Sequence, residues 1–297
     1  MPVLAATDGS PHTEPALRLG AQIAQRGREP LTILTVIRHE ADRPLAPVDA
    51  ILGRARDIVE AHSPEVRTRV RIGHPATEIV REAEEGNYDL VIVGQRLNRN
   101  LVKRFLVGST AVRVVEHAPC PVIVAKGKIG PIQHILLCDS GSVDPSVGLP
   151  LALLPETTLG TRWAGPSVLS RFTELPVDLF DGTGEVVVLH VMSQMSAGPG
   201  VKGEELRSDI EKLIEERAPE GQLLQRDIEA MESLGIRARA KVRHGLVVEE
   251  ILEEVHREDY DLVVIGAYRG HGWQRILLDD LAHRIVVELD RPVLVLR

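Results

Sequence analysis

Residues 73–94 read GHPATEIVREAEEGNYDLVIVG, and residues 245–266 read GLVVEEILEEVHREDYDLVVIG. The two stretches align without a gap at an offset of 172, and nine of the 22 positions are identical, among them Tyr88-Asp89-Leu90-Val91 with Tyr260-Asp261-Leu262-Val263. Each begins with a glycine, continues with the periodicity of an amphipathic helix and ends in a short apolar run before Gly94 or Gly266. Internal self-similarity of this kind marks a repeated architectural unit. A helix followed by a short, purely apolar strand marks that unit as α/β, because strands covered on both faces carry no polar alternation.

The same order extends outward in both directions. Val3-Leu4-Ala5-Ala6-Thr7-Asp8 and Ile135-Leu136-Leu137-Cys138-Asp139 read as first strands ending in Asp. Second strands are expected at Leu31–Ile37 and Val186–Met192. Arg67–Ile72 and Arg237–Val242 alternate apolar with charged residues, as half-exposed strands do. Cys120–Val124 and Arg291–Leu296 are last strands, each with a proline near its start, where no ladder N–H is needed. Between them lie helical patterns, residues 13–26 with Ala16, Leu19, Gly20 and Ile23 on one face, and residues 203–233. Strands alternating with helices predict a parallel, doubly wound sheet with right-handed crossovers. The chain therefore reads as two tandem Rossmann-like domains of about five strands each. We place them at 1–128 and 132–297, joined at the Gly- and Pro-containing stretch Lys126–Pro131. The halves differ between their first two strands: Asp8 to Val36 spans 28 residues and Asp139 to Val191 spans 52, an excess of 24. Five prolines and four glycines punctuate this extra stretch, so an irregular insertion at about 144–182 is expected, with short helices around 146–154 and 166–173.

Composition narrows the class. At 297 residues the chain can bury two cores. Hydrophobic residues are 43% and aromatics only 3%, so Val, Ile, Leu and Ala must fill those cores. Cys120 and Cys138 sit in no metal-ligand spacing and are expected to be reduced, buried thiols. The N-terminus lacks the basic and apolar regions of a signal peptide, and no apolar run approaches the roughly 18 residues of a membrane span, so a cytoplasmic location is expected. The net charge of −8 divides unevenly: residues 1–128 carry 18 Lys+Arg and 15 Asp+Glu, giving +3, and residues 129–297 carry 17 and 28, giving −11. There is no basic stripe for nucleic acid.

Open α/β sheets bind ligands beyond the carboxyl ends of their strands. Asp8-Gly9-Ser10 follows the first strand and Gly94 the fourth, and a helix is expected to begin near Gly108-Ser109-Thr110. Glycines there let backbone N–H groups approach an anion, a helix N-terminus favours negative charge, and the Ser and Thr hydroxyls can donate to phosphate oxygens.

Asp8-Gly9-Ser10, Gly73–Ala76, Asp89–Gly94, Gly108-Ser109 and His117–Val122, in this order and spacing, resemble the universal stress protein (UspA-like) family. The resemblance covers nearly all of residues 1–126, and the second half outside the insertion. It implies a stress-response protein. In nucleotide-binding members of the family, ATP is held by a Gly-x2-Gly-x9-Gly-Ser/Thr loop and the first-strand Asp. Carried onto this chain, the resemblance implies a site of Asp8, Gly9, Gly94, Arg96, Gly108, Ser109 and Thr110 in the first half, with Mg²⁺ only in company with the nucleotide. Both halves depart from the loop. Leu97 stands in place of its second glycine, and the segment to Gly108 is one residue longer; Arg96, Arg99, Lys103 and Arg104 lie on that segment. In the second half Arg269 precedes Gly270, and Asp279-Asp280 stand where Gly-Ser is expected, which would repel a phosphate. The second half is thus read as degenerate. The resemblance also implies self-association through the last strand, either between the two halves of one chain or in a homodimer.

The competing readings are plain ones. The glycines can be ordinary turn and cap residues, and the basic residues at 96–104 a solvated loop. The histidines, among them His12, His74, His117, His134, His190, His244, His271 and His283, include no i,i+4 pair with a third ligand nearby. No serine has a partner histidine at a recognisable spacing, so side-chain catalysis is not expected, and any slow ATP hydrolysis would come from loop positioning and a metal. Two functions stay open at this point: nucleotide sensing through the first half, or a nucleotide-independent, dimerising interaction module.

Overall fold

The computed structural model describes residues 1–38, 47–60, 65–95, 110–138, 184–192, 219–266 and 273–296. In the first half, strands β1 (Val3–Ala6), β2 (Leu31–Ile37), β3 (Val66–Ile72), β4 (Leu90–Gly94) and β5 (Val122–Ala125) alternate with helices α1 (Glu14–Gly27), α2 (Val48–Val59), α3 (Pro75–Glu85) and α4 (Thr110–His117). In the second, β6 (His134–Cys138), β7 (Glu185–Met192), β8 (Arg237–His244), β9 (Leu262–Gly266) and β10 (Val293–Leu296) accompany α5 (Pro219–Ser233), α6 (Val247–Arg257) and α7 (Trp273–Glu288). The expected insertion at 144–182, its short helices and the start of the 203–233 helical pattern lie outside the described residues.

All ten strands form one sheet in the order β3-β2-β1-β4-β5-β10-β9-β6-β7-β8. Pairing is parallel within each half and antiparallel only at β5–β10, where Val124, Ile123 and Val122 face Val293, Leu294 and Val295. Pro121 and Pro292 open the matching strands, so Ile123 and Leu294 are equivalent positions and pair with each other. The joint is a local twofold, and the strand order is a palindrome about it. The apolar last strands pair with each other, so neither forms an open edge. The outer edges are instead β3 and β8, with Arg67, Arg69 and Arg71 on one and Arg237, Arg239, Lys241 and Arg243 on the other. Charged edges of this kind oppose further strand addition.

Alternation along the strands divides the core between the two faces. Val3, Ala5, Ile33 and Ile92 pack with Leu17 and Ile23 of α1 and Ala55 of α2, while Leu224 and Met231 of α5 cover the same face in the second half. On the other face, Leu4, Val91, Val93 and Val122 meet Ile79 of α3 and Val112 and Val115 of α4, and Val263 and Val295 meet Ile251 of α6 and Ile285 of α7. Helix α1 starts with Glu14 and Pro15, which suit a first turn, and ends where Arg28 turns left-handed (φ 53°) so that Glu29 N–H donates to Ala24 O at 3.0 Å. Cys138 is buried, but Cys120 is only partly so, because it precedes β5 at the sheet margin.

The repeat carries an ion-pair fan as well as a fold. Arg71 of β3 reaches Glu78 (3.2 Å), Glu82 (3.0 Å) and Glu85 (2.5 Å) of α3. Its counterpart Arg243 of β8 reaches Glu250 (2.6 Å), Glu253 (3.0 Å) and Glu254 (3.0 Å) of α6. Glu254 is fully buried and also accepts from Lys241 (2.7 Å) and Tyr260 (2.8 Å). Burial pushes its carboxyl up, but hydrogen bonds from Lys241, Tyr260 and Arg243 outweigh burial and hold it below the usual range. Burial raises the Tyr260 hydroxyl, so it stays a donor. The hydrogen bond from Lys241, with others from Tyr260 and Arg239, lowers Glu258 to about 2 from an ordinary 4.5. A carboxyl whose folded value lies below its unfolded one stabilises the fold above the unfolded value. That contribution is lost as pH falls through the folded value. The parent should therefore be more stable than Glu258→Gln at pH 6, and the gap should close between about pH 4.5 and pH 2. Denaturant midpoints of both proteins across that range check this; a gap independent of pH would refute it.

Candidate functional site

The order β2-β1-β4-β5 places the topological switch of the first half between β1 and β4, since the chain leaves β1 in one direction and returns as β4 on its other side. Register pairs Ala6 with Val93, so Asp8-Gly9, just beyond the end of β1, lie at the same end of the sheet as Gly94, the last residue of the adjacent β4. The sequence pattern named these residues, and the topology brings them together.

Three threonines set the loop after β1. Thr35 Oγ1 donates to Thr7 O at 2.6 Å, Thr7 Oγ1 and Thr13 Oγ1 share a hydrogen bond of 2.7 Å, and Gly9 N–H donates to Thr7 Oγ1 at 3.1 Å. Thr13 Oγ1 and N–H both donate to Ser10 O, at 2.8 and 3.0 Å. The chain reverses through Gly9 at φ 80°, a left-handed conformation that glycine adopts without strain. Asp8 Oδ1 accepts from Ser10 N–H at 3.0 Å, an Asx turn, and also from Ser10 Oγ. Ser10 Oγ lies 2.8 Å from His12 Nδ1, and His12 Nε2 lies 3.9 Å from Asp8 Oδ2. The Asp8 side chain is 54% exposed, so a carboxylate oxygen is held toward solvent on a braced loop.

Gly94 has a packing role that its motif position does not reveal. A Cβ there would lie 2.4 Å from His12 O and 2.7 Å from Thr13 Cα. The backbone of the short turn Pro11–Thr13 occupies the space that the missing side chain leaves. Gln95 follows, its N–H donating to Ala125 O at 3.2 Å and its side chain 8% exposed. Sequence reasoning passed over this residue. The available signal was a single amide directly after the apolar run LVIVG. Thr110 opens α4 at the same end of the sheet and is half-buried. Arg96, Gly108 and Ser109 lie outside the described residues, as do Arg99, Lys103 and Arg104. The remaining histidines form no metal cluster: among the described residues no group of His, Cys, Asp and Glu could hold an ion.

One correction concerns the second half. Register equates Val3 with Ile135, because Val3 pairs with Leu90 and Ile135 with Leu262, the matching positions of the repeat, and so Ala6 with Cys138. Asp139, read as the end of the second first strand, lies outside the described residues. Asp279 and Asp280 do not sit at a helix start, because α7 begins at Trp273 and its backbone runs through them.

A cavity of about 440 Å³ lies elsewhere, between residues 126–132, Leu19 and the approaches to β9 and β10. Most of its charged lining is engaged. Arg291 pairs with Asp259 (3.1 Å) and Asp290 (3.5 Å), and Asp261 accepts from the N–H groups of Gln133 and His134, both at 2.8 Å. None of the predicted site residues lines it.

The sequence profile of the universal stress protein family matches residues 1–126 and 180–297. The chain belongs to the universal stress protein family. A relative of that family in Staphylococcus aureus (strain USA300) is 32% identical over 138 residues, covering 42% of this chain and 82% of its own. Two solved structures show the fold over 99% of the chain, each at 18% identity. These are a universal stress protein from Archaeoglobus fulgidus DSM 4304 (95% of that chain, TM-score 0.62) and one from Pseudomonas aeruginosa UCBPP-PA14 (92%, TM-score 0.65). The first family match covers β1–β5 of this universal stress protein's sheet and the second covers β7–β10, with β6 preceding it. Among its described residues no helix is long and apolar enough to cross a membrane.

Proposed function

We propose that the first half of this universal stress protein binds an adenine nucleotide, and that the second half is a degenerate partner that completes the sheet without binding one. The observation that carries this reading is the placement of Asp8-Gly9 and Gly94 on either side of the β1/β4 switch, with α4 opening at the same end. Asp8 contacts the base or ribose there; Gly108, Ser109 and Thr110 take phosphates at the helix start, with Arg96 adding charge. Mg²⁺ enters with the nucleotide. The protein acts by binding and by contact with partners in the cytoplasm, not by side-chain catalysis: the Ser10 hydroxyl at this loop donates to Asp8 Oδ1 and so braces the turn.

Calorimetric titration of ligand-free protein with ATP and Mg²⁺ tests the reading, with one site per chain expected. Gly108→Asp should abolish that site while leaving the unfolding midpoint unchanged, because it puts a carboxylate among the phosphates. No heat and no thermal stabilisation of the parent at millimolar ATP would overturn nucleotide binding and favour the interaction module. Undiminished binding by Gly108→Asp would overturn the site assignment alone.

A further inference from the structure

Gln95 is a buried amide without a full set of partners. It is 8% exposed, and its Oε1 has no hydrogen-bond partner. Buried side-chain polar atoms are paired in the large majority of cases, and an unpaired one destabilises the fold that keeps it. An orphan of this kind calls for a reason, and its position supplies one. Gln95 continues the β4–β5 ladder one residue past the strand, at the β1/β4 switch. Strand alternation puts it on the face of Val91 and Val93, which is covered by α3 and α4. Helix α4 begins at Thr110 at this same end.

We propose that the Gln95 carboxamide reads a ribose hydroxyl of the bound nucleotide; this rests on the nucleotide-binding reading above. The chemistry selects the ribose. Oε1 is an acceptor and needs a donor, and phosphates offer none at neutral pH. With phosphates at the start of α4, the next group along a nucleotide is the sugar, whose 2′- and 3′-hydroxyls are donors. A site built with a buried acceptor for a hydroxyl discriminates against the analogue that lacks it, because the acceptor is then left unpaired.

The test compares ATP, 2′-deoxy-ATP and 3′-deoxy-ATP binding to the parent and to Gln95→Met, which keeps the volume and removes the amide. The parent should bind ATP about five- to tenfold more tightly than one of the deoxynucleotides, the yield of one net hydrogen bond. Gln95→Met should bind ATP as weakly as the parent binds that analogue, and should lose the discrimination. Without ligand, the variant should unfold at the same temperature as the parent or higher, since a buried orphan has gone. A parent that binds all three nucleotides equally, or a variant that keeps the discrimination, overturns the role of Gln95 and leaves nucleotide binding standing. A parent that binds none of them overturns the nucleotide reading itself, before any variant is made.

Discussion

Replacing Lys126 by alanine should cost about 3 kcal/mol of stability, although the residue follows the last strand of the first half at the start of what reads as a linker. Its side chain is 1% exposed. Nζ donates to Val286 O and, at 3.0 Å, to Leu289 O, two carbonyls at the C-terminal end of α7. Those carbonyls lack intrahelical donors, and the helix end carries partial negative charge, so an ammonium there both caps and neutralises. Hydrogen bonds to charged groups contribute about 1.5–3 kcal/mol each. Relief of the buried ammonium's desolvation offsets part of that loss, and the cavity left by truncation adds to it. Lys126→Met keeps the aliphatic stem and should lose about 2 kcal/mol, the capping share alone. Because Lys126 belongs to the first half and α7 to the second, the loss should appear in one cooperative unfolding transition. Urea unfolding of both variants checks the cap. A change below about 0.5 kcal/mol in Lys126→Ala would show that it contributes little.

Gly94→Ala should destabilise by a similar amount, about 3 kcal/mol, at the other end of the same crossover logic. The added methyl would meet backbone, at 2.4 Å from His12 O and 2.7 Å from Thr13 Cα, so no side chain can swing aside to admit it. The Pro11–Thr13 turn would have to lift, which would stretch the 2.7 Å Thr7–Thr13 hydrogen bond that braces the Asp8 loop. Gly53 in α2 supplies the contrast, since a Cβ there meets nothing within 4 Å. Gly53→Ala should gain about 0.8 kcal/mol through helix propensity and a less flexible unfolded chain. Opposite signs at the two glycines, read from thermal unfolding, would identify Gly94 as a packing glycine whose loss also loosens the candidate site. Equal signs would refute the steric account.

Much of the fold was legible because it is written in local periodicity. Leu31–Ile37 forms β2 with the expected limits, and Ala16, Leu19, Gly20 and Ile23 all face the core from α1. The candidate site was legible in part. Asp8, Gly9 and Gly94 sit at the switch because strand order and the ends of apolar runs determine where loops emerge. Motif spacing did not show where the last helix of the second half begins. Asp279-Asp280 looked like a spoiled phosphate seat until α7 was found to start earlier. Gln95 and Lys126 carried no periodic signal, because their burial depends on elements distant in sequence.

The sequence by itself determined the α/β class, the two repeats and the alternation of strand and helix, since each is a matter of near-neighbour spacing and side-chain type. Only the tertiary structure decided that the two five-stranded sheets fuse through Ile123 and Leu294, that Lys126 caps a helix 160 residues away, and that backbone fills the space beside Gly94. Those outcomes depend on which surfaces meet when both halves are folded, and chain-local propensity holds no record of such meetings.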